Sequence, residues 1–573
     1  MKKRMRKTLE KIDRVFGPVF VKHAFLTTIT FFMAATSSMH ADGVPALTPE
    51  GIEASNAASR TAPQVIMPPR AEYGDDFRRF QGIPGVEVAA NGRLWATWYG
   101  GGEGENHFNY VLLSTSGDGG ETWDLSLVVD PDGKEVSPDV DLERLRRYHW
   151  AESPRESGPV RAFDPVLWMD PTGRLWLIWA QNSGGYWSTA ATWAMTTTNA
   201  GDPKPEWSEP FYVADGIMMN KPSVLSTGEW LFPMAFWRQE GSSAVLATSD
   251  KGESWSFVGS ATIPDPEHRN ADEHMIAERS DGSLLMWVRT MYGIGETVSL
   301  DRGRTWEPVT KAQVEHPTAR FHLSRLSSGN WLLVKHGPLD EDVSRRLLTA
   351  YLSRDEGRTW EGGLLLEERP CSYPDAAEAE DGTLYVIYDR SRRAHKEILL
   401  AAFTEEDVLA GKPVSGKTRL GLLVNKAWGA NLRNYDLGSH EDGEPFIDSP
   451  AAVVEPVEGE VDSLKRGVVL FSDRDYTLHH LPPELVEKSF IRGPMGTIRA
   501  RVVRDGVVTV LTPEPERNHN GSLTEALLED GYFKADLPEC SLFFGDANIC
   551  TAYQKEVKRG DSIELGAWGI LVF

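Results

Sequence analysis

The stretch SGDGGETW, running from Ser116 to Trp123, recurs along the chain with its spacing intact. It returns as SLDRGRTW from Ser299 to Trp306 and as SRDEGRTW from Ser353 to Trp360. A softened copy, TSDKGESW, runs from Thr248 to Trp255. Each part suits a tight hairpin. The Asp carboxylate accepts backbone N–H groups inside the turn. The Gly takes a positive φ without a Cβ clash. The Trp is large enough to anchor the hairpin against a neighbouring sheet. The motif is therefore architectural, and no chemistry is assigned to it.

A second repeat is offset from the first. Apolar strands meet at two-residue turns ending in glycine: Asn91-Gly92, Thr172-Gly173, Thr227-Gly228, Asp281-Gly282, Ser328-Gly329 and Asp381-Gly382. Such turns mark paired antiparallel strands. The strand after each is rich in Leu, Trp, Val or Tyr, as in RLWATWYGG (93–101) and TLYVIYDRS (383–391). A further hairpin follows each pair, so the unit is a four-stranded blade. Six such units predict an all-β, six-bladed β-propeller over residues 70–404, closed into a ring that leaves few exposed strand edges.

Beyond about Thr404 the repeat stops. Runs such as RGVVLFS, TIRARVV and SIELGAWGILVF predict a C-terminal β-sandwich-like domain over residues 413–573, either an accessory that packs on the propeller or a carbohydrate binder. At the other end, a basic segment precedes an apolar run from Ala24 to Ala35 and small residues up to Ala41. This is the pattern of a signal peptide over residues 1–41, implying a secreted or periplasmic protein with no membrane insertion after cleavage. Residues 42–69 read as a linker or a loosely draped arm. Residues 1–41 carry eight basic and two acidic side chains, so without them the net charge falls from −24 to −30. A surface this acidic argues against nucleic acid as a partner. Of three cysteines, Cys540 and Cys550 are spaced to close a small loop and Cys371 is left over. No spacing suggests a metal site, and no cofactor is expected.

The hairpin motif, four times over, is the Asp-box, and the propeller resembles the sialidase (neuraminidase) superfamily across roughly residues 75–400. The resemblance implies a glycan substrate and an exo-acting hydrolase that removes a terminal acidic sugar, sialic acid first. It also carries over site residues. Glu273 and Arg289 stand nine residues before and seven after Gly282. Arg345 opens the pattern Arg-x-x-Leu-Thr. Tyr373 stands nine before Gly382, and Tyr388-Asp389 follows that turn. The set is chemically coherent. Arg binds a carboxylate through two charge-assisted bonds. A neutral Tyr nucleophile avoids the repulsion an anionic substrate would impose on a carboxylate nucleophile, and Glu273 takes its proton.

Two positions depart from the resemblance. Gly82, before Ile83-Pro84, stands where sialidases carry the first of three arginines, and Arg78 or Arg79 is the candidate to replace it. The general acid, an Asp in sialidases, falls on Glu105, with His107 as the second candidate. The substrate-binding set is thus Arg289, Arg345, Arg79, His107 and Asp389, and the catalytic set Tyr373, Glu273 and Glu105. The departures keep two other readings open: an enzyme for another sugar, such as a uronic acid, acting by hydrolysis or elimination, and a non-catalytic glycan-binding propeller. A segment before blade two (Arg147, His149, Trp150, Arg155, Arg161, Asp164) and the run holding Gln181, Asn182, Tyr186 and Trp187 are further candidates for the pocket rim.

Overall fold

A computed structural model of the chain describes residues 49–101, 104–105, 109–133, 160–183, 189–236, 243–393, 395–428, 444–465, 467–473, 476–513, 522–537, 540–542 and 549–573. Six antiparallel sheets follow one another in chain order, each a meander, with the innermost strand of blade three split into two pieces, Ile217–Met218 and Ser223–Val224, that both pair with Trp230–Ala235. Their innermost strands begin at Gln81, Val160, Ile217, Met275, His322 and Ser372. Each glycine turn joins the innermost strand of a blade to its second strand, and Gly92, Gly173, Gly228, Gly282, Gly329 and Gly382 all have φ between 77° and 90°. This is the all-β propeller read from the repeat, with its six blades.

The Asp-boxes join third and fourth strands, on the outside of the ring. In the first, Asp118 Oδ1 accepts from the N–H groups of Glu121 and Thr122 at 3.0 Å each, and the Ser116 hydroxyl is 2.7 Å from the same oxygen. These bonds hold the Asp118 carboxylate below the usual range, with the Thr122 hydroxyl contributing most. Each box Trp packs on the preceding blade. Trp255 of blade three meets Trp176 of blade two edge-on at 6.4 Å, and Trp360 of blade five meets Trp287 of blade four at 5.8 Å. Two boxes thus fasten blade to blade through an aromatic contact, and Trp123 and Trp306 do so by packing on the hydrophobic clusters at their own seams.

Two boundaries differ from the sequence reading. Residues 42–69 are not simply a linker: Pro49–Ser59 is a helix and Gln64–Ile66 adds a fifth strand outside blade one, paired with Asp124–Asp130. The arm is pinned to blade two, where Gln181 and the Trp193 indole donate to the carbonyl of Ser59. The propeller also runs past residue 404. Blade six takes Arg419–Lys426 as its fourth strand, inside the segment read as the second domain. A helix, Glu405–Ala410, replaces the Asp-box before it, closed by a capping box between Thr404 and Asp407 and by Gly411 at φ 64°. Without the box, the repeat gave no sign of the last strand.

In the C-terminal region a nine-stranded sheet and a three-stranded sheet (Val453–Pro456, Ile498–Arg504, Ser562–Leu565) share one buried core, in which Val502 and Ile563 meet Val510 and Leu571. That face-to-face packing is sandwich-like. Cys540 and Cys550 lie opposite each other in register on neighbouring strands, and Cys371 is buried in blade six. The signal-peptide segment lies outside the described residues. Among the described residues no helix is long and apolar enough to cross a membrane.

Candidate active site

Three innermost strands share one irregularity. Blade one shifts register between Gly82 and Gly85, blade two between Phe163 and Val166, and blade six between Ser372 and Asp375. An X-Pro pair sits in each gap: Ile83-Pro84, Asp164-Pro165 and Tyr373-Pro374. Proline has no N–H for the ladder and disfavours a right-handed helical residue before it. Here the residue before each proline takes a left-handed backbone, with φ 55° at Ile83, 48° at Asp164 and 54° at Tyr373. A bulge of this kind re-aims a side chain. All three residues line one cavity of about 250 Å³.

Tyr373, Glu273 and Arg289 form a triangle in that cavity. The Tyr373 hydroxyl lies 3.2 Å from Glu273 Oε1 and 3.2 Å from Arg289 Nη1, and Arg289 Nη1 donates to Glu273 Oε1 at 2.6 Å. All three side chains are buried. Burial, and then the Glu273 carboxylate, push the Tyr373 phenol well above its usual range, so it rests as the neutral phenol. Burial works against the charge on Arg289, but Glu273 and Tyr373 outweigh it and hold the guanidinium protonated. Glu273 Oε2 and Arg289 Nε are buried without a protein partner. Two polar atoms left in this state at a cavity wall are ready for a ligand's hydrogen bonds.

Arg345 precedes the third strand of blade five. Its Nη2 donates to the Thr318 carbonyl at 3.1 Å, and its guanidinium carbon lies 5.7 Å from the Tyr373 ring centroid. Two further cations line the cavity, Arg161 and Arg392. Arg161 lies over the Phe163 ring at 3.9 Å and donates to Asn182 Oδ1 at 2.9 Å. Arg392, on the turn after the second strand of blade six, lies 5.1 Å from the Tyr373 ring centroid and pairs with Glu105. Glu105 lines the cavity mouth and is partly exposed. Asp389 is buried behind Arg392, 3.9 Å from its Nε, and accepts from the Ile83 N–H at 2.9 Å. Burial raises Asp389 to about 6, against the pull of Arg392.

The structure therefore brings Tyr373, Glu273, Arg289, Arg345 and Glu105 to one cavity, with Asp389 just behind it. Arg79 is buried and is not among the residues lining the cavity, so it does not stand in for the arginine missing at Gly82. Arg78 does not either. It is a structural pin, bonded to the Tyr73 carbonyl, Gln81 and Asn425. Gln181 serves the N-terminal arm. His107, Arg147, His149, Trp150, Arg155, Tyr186 and Trp187 lie outside the described residues. Sequence reasoning missed Arg392. The available signal was the cluster Arg390, Arg392 and Arg393 just beyond Tyr388-Asp389, opposite a glycine where an arginine was due. Among the described residues no cluster of His, Cys, Asp and Glu is arranged to hold a metal ion.

Asp164 has a further consequence. Burial, then the nearby Glu105 carboxylate, push it up to about 8. A carboxyl whose folded value is raised favours the fold fully below its unfolded value near 4, and that contribution is lost as pH climbs toward 8. Asp164→Asn removes the titration. Its thermal midpoint is expected to fall less between pH 5 and pH 8 than that of the unaltered protein, in melts read side by side. Equal slopes would contradict this.

The family model for the BNR repeat-like domain matches residues 92–386. A sialidase of Micromonospora viridifaciens is 23% identical over 335 residues, covering 54% of this chain and 49% of that protein, so the chain spans about half the length of the curated relative it matches. Among solved structures, a Hadza microbial sialidase matches at TM-score 0.45 and 20% identity, covering 58% of this chain and 68% of that one. The intramolecular trans-sialidase of Ruminococcus gnavus matches at TM-score 0.45 and 13% identity, covering 62% and 99%. The repeat-domain match takes in just over half of the residues, from the first glycine turn into the second strand of blade six, and the chain belongs to the BNR repeat-like domain family.

Proposed function

We propose that this protein is an exo-acting glycoside hydrolase that removes a terminal acidic sugar, with sialic acid the first substrate to test, and that it works outside the cytoplasm after export. The observation that carries the reading is the buried triangle of Tyr373, Glu273 and Arg289. The phenol is neutral at rest and has its proton acceptor 3.2 Å away. As the Tyr373 oxygen attacks the anomeric carbon, its proton passes to Glu273 and the bond to the leaving oxygen breaks. Glu105, partly exposed at the cavity mouth, parts from the Arg392 guanidinium, takes a proton from solvent and passes it to that oxygen. The glycosyl-tyrosine then hydrolyses. Water gives its proton to Glu105 as its oxygen bonds to the anomeric carbon, the bond from that carbon to the Tyr373 oxygen breaks, and Glu273 returns the proton to that oxygen. The configuration is retained. Arg289 and Arg345 receive the sugar's carboxylate, which is why an acidic sugar suits a cavity this rich in guanidinium groups.

The departure at Gly82 favours keeping a second reading, that the acidic sugar is a uronic acid. The test is turnover of aryl glycosides of sialic, uronic and neutral sugars by the mature protein. Release is expected from an acidic glycoside and not from the neutral ones. Preferential release from a neutral sugar, or no release from any, would sink the proposal.

A further inference from the structure

Gly82 is more than a missing arginine. A Cβ built on it would fall 2.3 Å from both Cγ and Cδ of Arg392 and 2.8 Å from Oδ2 of Asp389. The volume a side chain would need at position 82 is therefore taken by the stem of Arg392, which reaches it across the seam between blades six and one. The guanidinium at the end of that stem lines the cavity. It lies on the Tyr373 side of the cavity, as Arg345 does, at 5.1 Å and 5.7 Å from the ring centroid. Asp389 stands behind it as a buried counter-charge. In front, the guanidinium is already bonded to a carboxylate, that of Glu105.

We infer that Arg392 is the third cation of the carboxylate clamp, delivered from blade six instead of blade one, and that Glu105 fills its guanidinium only while the sugar site is empty. The inference rests on the acidic-sugar reading and sharpens it by naming the residue that sets the substrate's charge. Glycine at position 82 is the condition for it, because any larger residue collides with the arginine stem. The Glu105 contact shows that this guanidinium receives a carboxylate from the cavity side. An incoming substrate carboxylate competes for the same donors, and Glu105 is then released toward the leaving group.

The test uses the full mature chain, an aryl glycoside of an acidic sugar, and its counterpart with the carboxylate converted to a carboxamide. Arg392→Ala is expected to lower kcat/KM on the carboxylate by roughly tenfold to a hundredfold, the loss of charge-assisted bonds to one guanidinium, and on the carboxamide by a clearly smaller factor, so that the carboxylate-to-carboxamide ratio falls. In the Arg392→Ala background the arginine stem no longer fills the space beside position 82 and only the tip of the Asp389 carboxylate has to shift, so Gly82→Arg should restore much of the preference for the carboxylate. Gly82→Arg alone should impair the protein, because both side chains claim one volume. A thermal melt of each variant separates misfolding from lost recognition. A folded Arg392→Ala protein with an unchanged carboxylate-to-carboxamide ratio would overturn the inference. If the unaltered protein cleaves no acidic glycoside, the proposed function fails on its own. Calorimetry with free N-acetylneuraminic acid and glucuronic acid then decides the clamp. Weaker binding by Arg392→Ala supports it; equal affinity, or binding to neither protein, overturns it.

Discussion

Tyr373→Phe is expected to abolish turnover, by roughly three orders of magnitude or more in kcat, on every substrate the protein cleaves. The substitution removes one oxygen atom and keeps the ring, so packing against the blade-one and blade-two core is retained. It also keeps the left-handed backbone before Pro374 as it is, since Phe and Tyr share that cost. What is lost is the atom that would bond to the anomeric carbon, along with two hydrogen bonds of 3.2 Å to Glu273 and Arg289. Each is worth about 0.5–1.5 kcal/mol, and Glu273 and Arg289 still have one another. The thermal midpoint should therefore move by only a few degrees, while product release in a single-turnover assay disappears. A Tyr373→Phe protein with full activity would rule out attack by tyrosine.

Glu273→Gln should cost about two to four orders of magnitude in kcat, the usual range for a positioned general base. The amide keeps the shape of the carboxylate and still offers an oxygen to Arg289, but it cannot take the phenol's proton. Since burial and Glu273 together keep that phenol neutral, an acceptor must be present at the moment of attack. Glu273→Leu makes the contrasting variant. It leaves the Arg289 guanidinium buried without its anion, and breaking a buried pair in this way costs about 3–5 kcal/mol. A drop in thermal midpoint for Leu but a much smaller one for Gln, with both inactive, would separate the catalytic share of Glu273 from its structural share. Substantial activity in Glu273→Gln would remove it as the base.

The parts of the fold legible in the sequence were those written in repeats. The Asp-boxes and glycine turns are local, because each hairpin is built from neighbouring residues, and they count blades directly. The last strand of blade six escaped because a helix replaces its box. The helix, strand and anchoring of the N-terminal arm escaped because its partners, such as Ser183 and Trp193, are more than a hundred residues away. The same distinction holds at the site. Tyr373, Glu273, Arg289 and Arg345 sit at fixed offsets from turns or motifs, so the resemblance to sialidases could be carried onto them residue by residue. Arg392 has no such offset. Its place depends on an empty volume over Gly82, about three hundred residues earlier in the chain, and no pattern within either segment states that the two meet.

The left-handed residues before Pro84, Pro165 and Pro374 carry one more implication. Each costs of order 1–3 kcal/mol that an ordinary strand would keep, and each interrupts pairing in the strand nearest the axis. A selection for heat resistance alone would favour straightening them. Restoring a regular ladder at residues 83–84, 164–165 or 373–374 would make a sturdier ring and turn Tyr373, or the lining side chains Ile83 and Asp164, away from the cavity. Robustness and reactivity are opposed at these three places, whereas in the outer hairpins they are independent. Engineers wanting a hardier version of this protein should work at the rim and leave the three kinks alone.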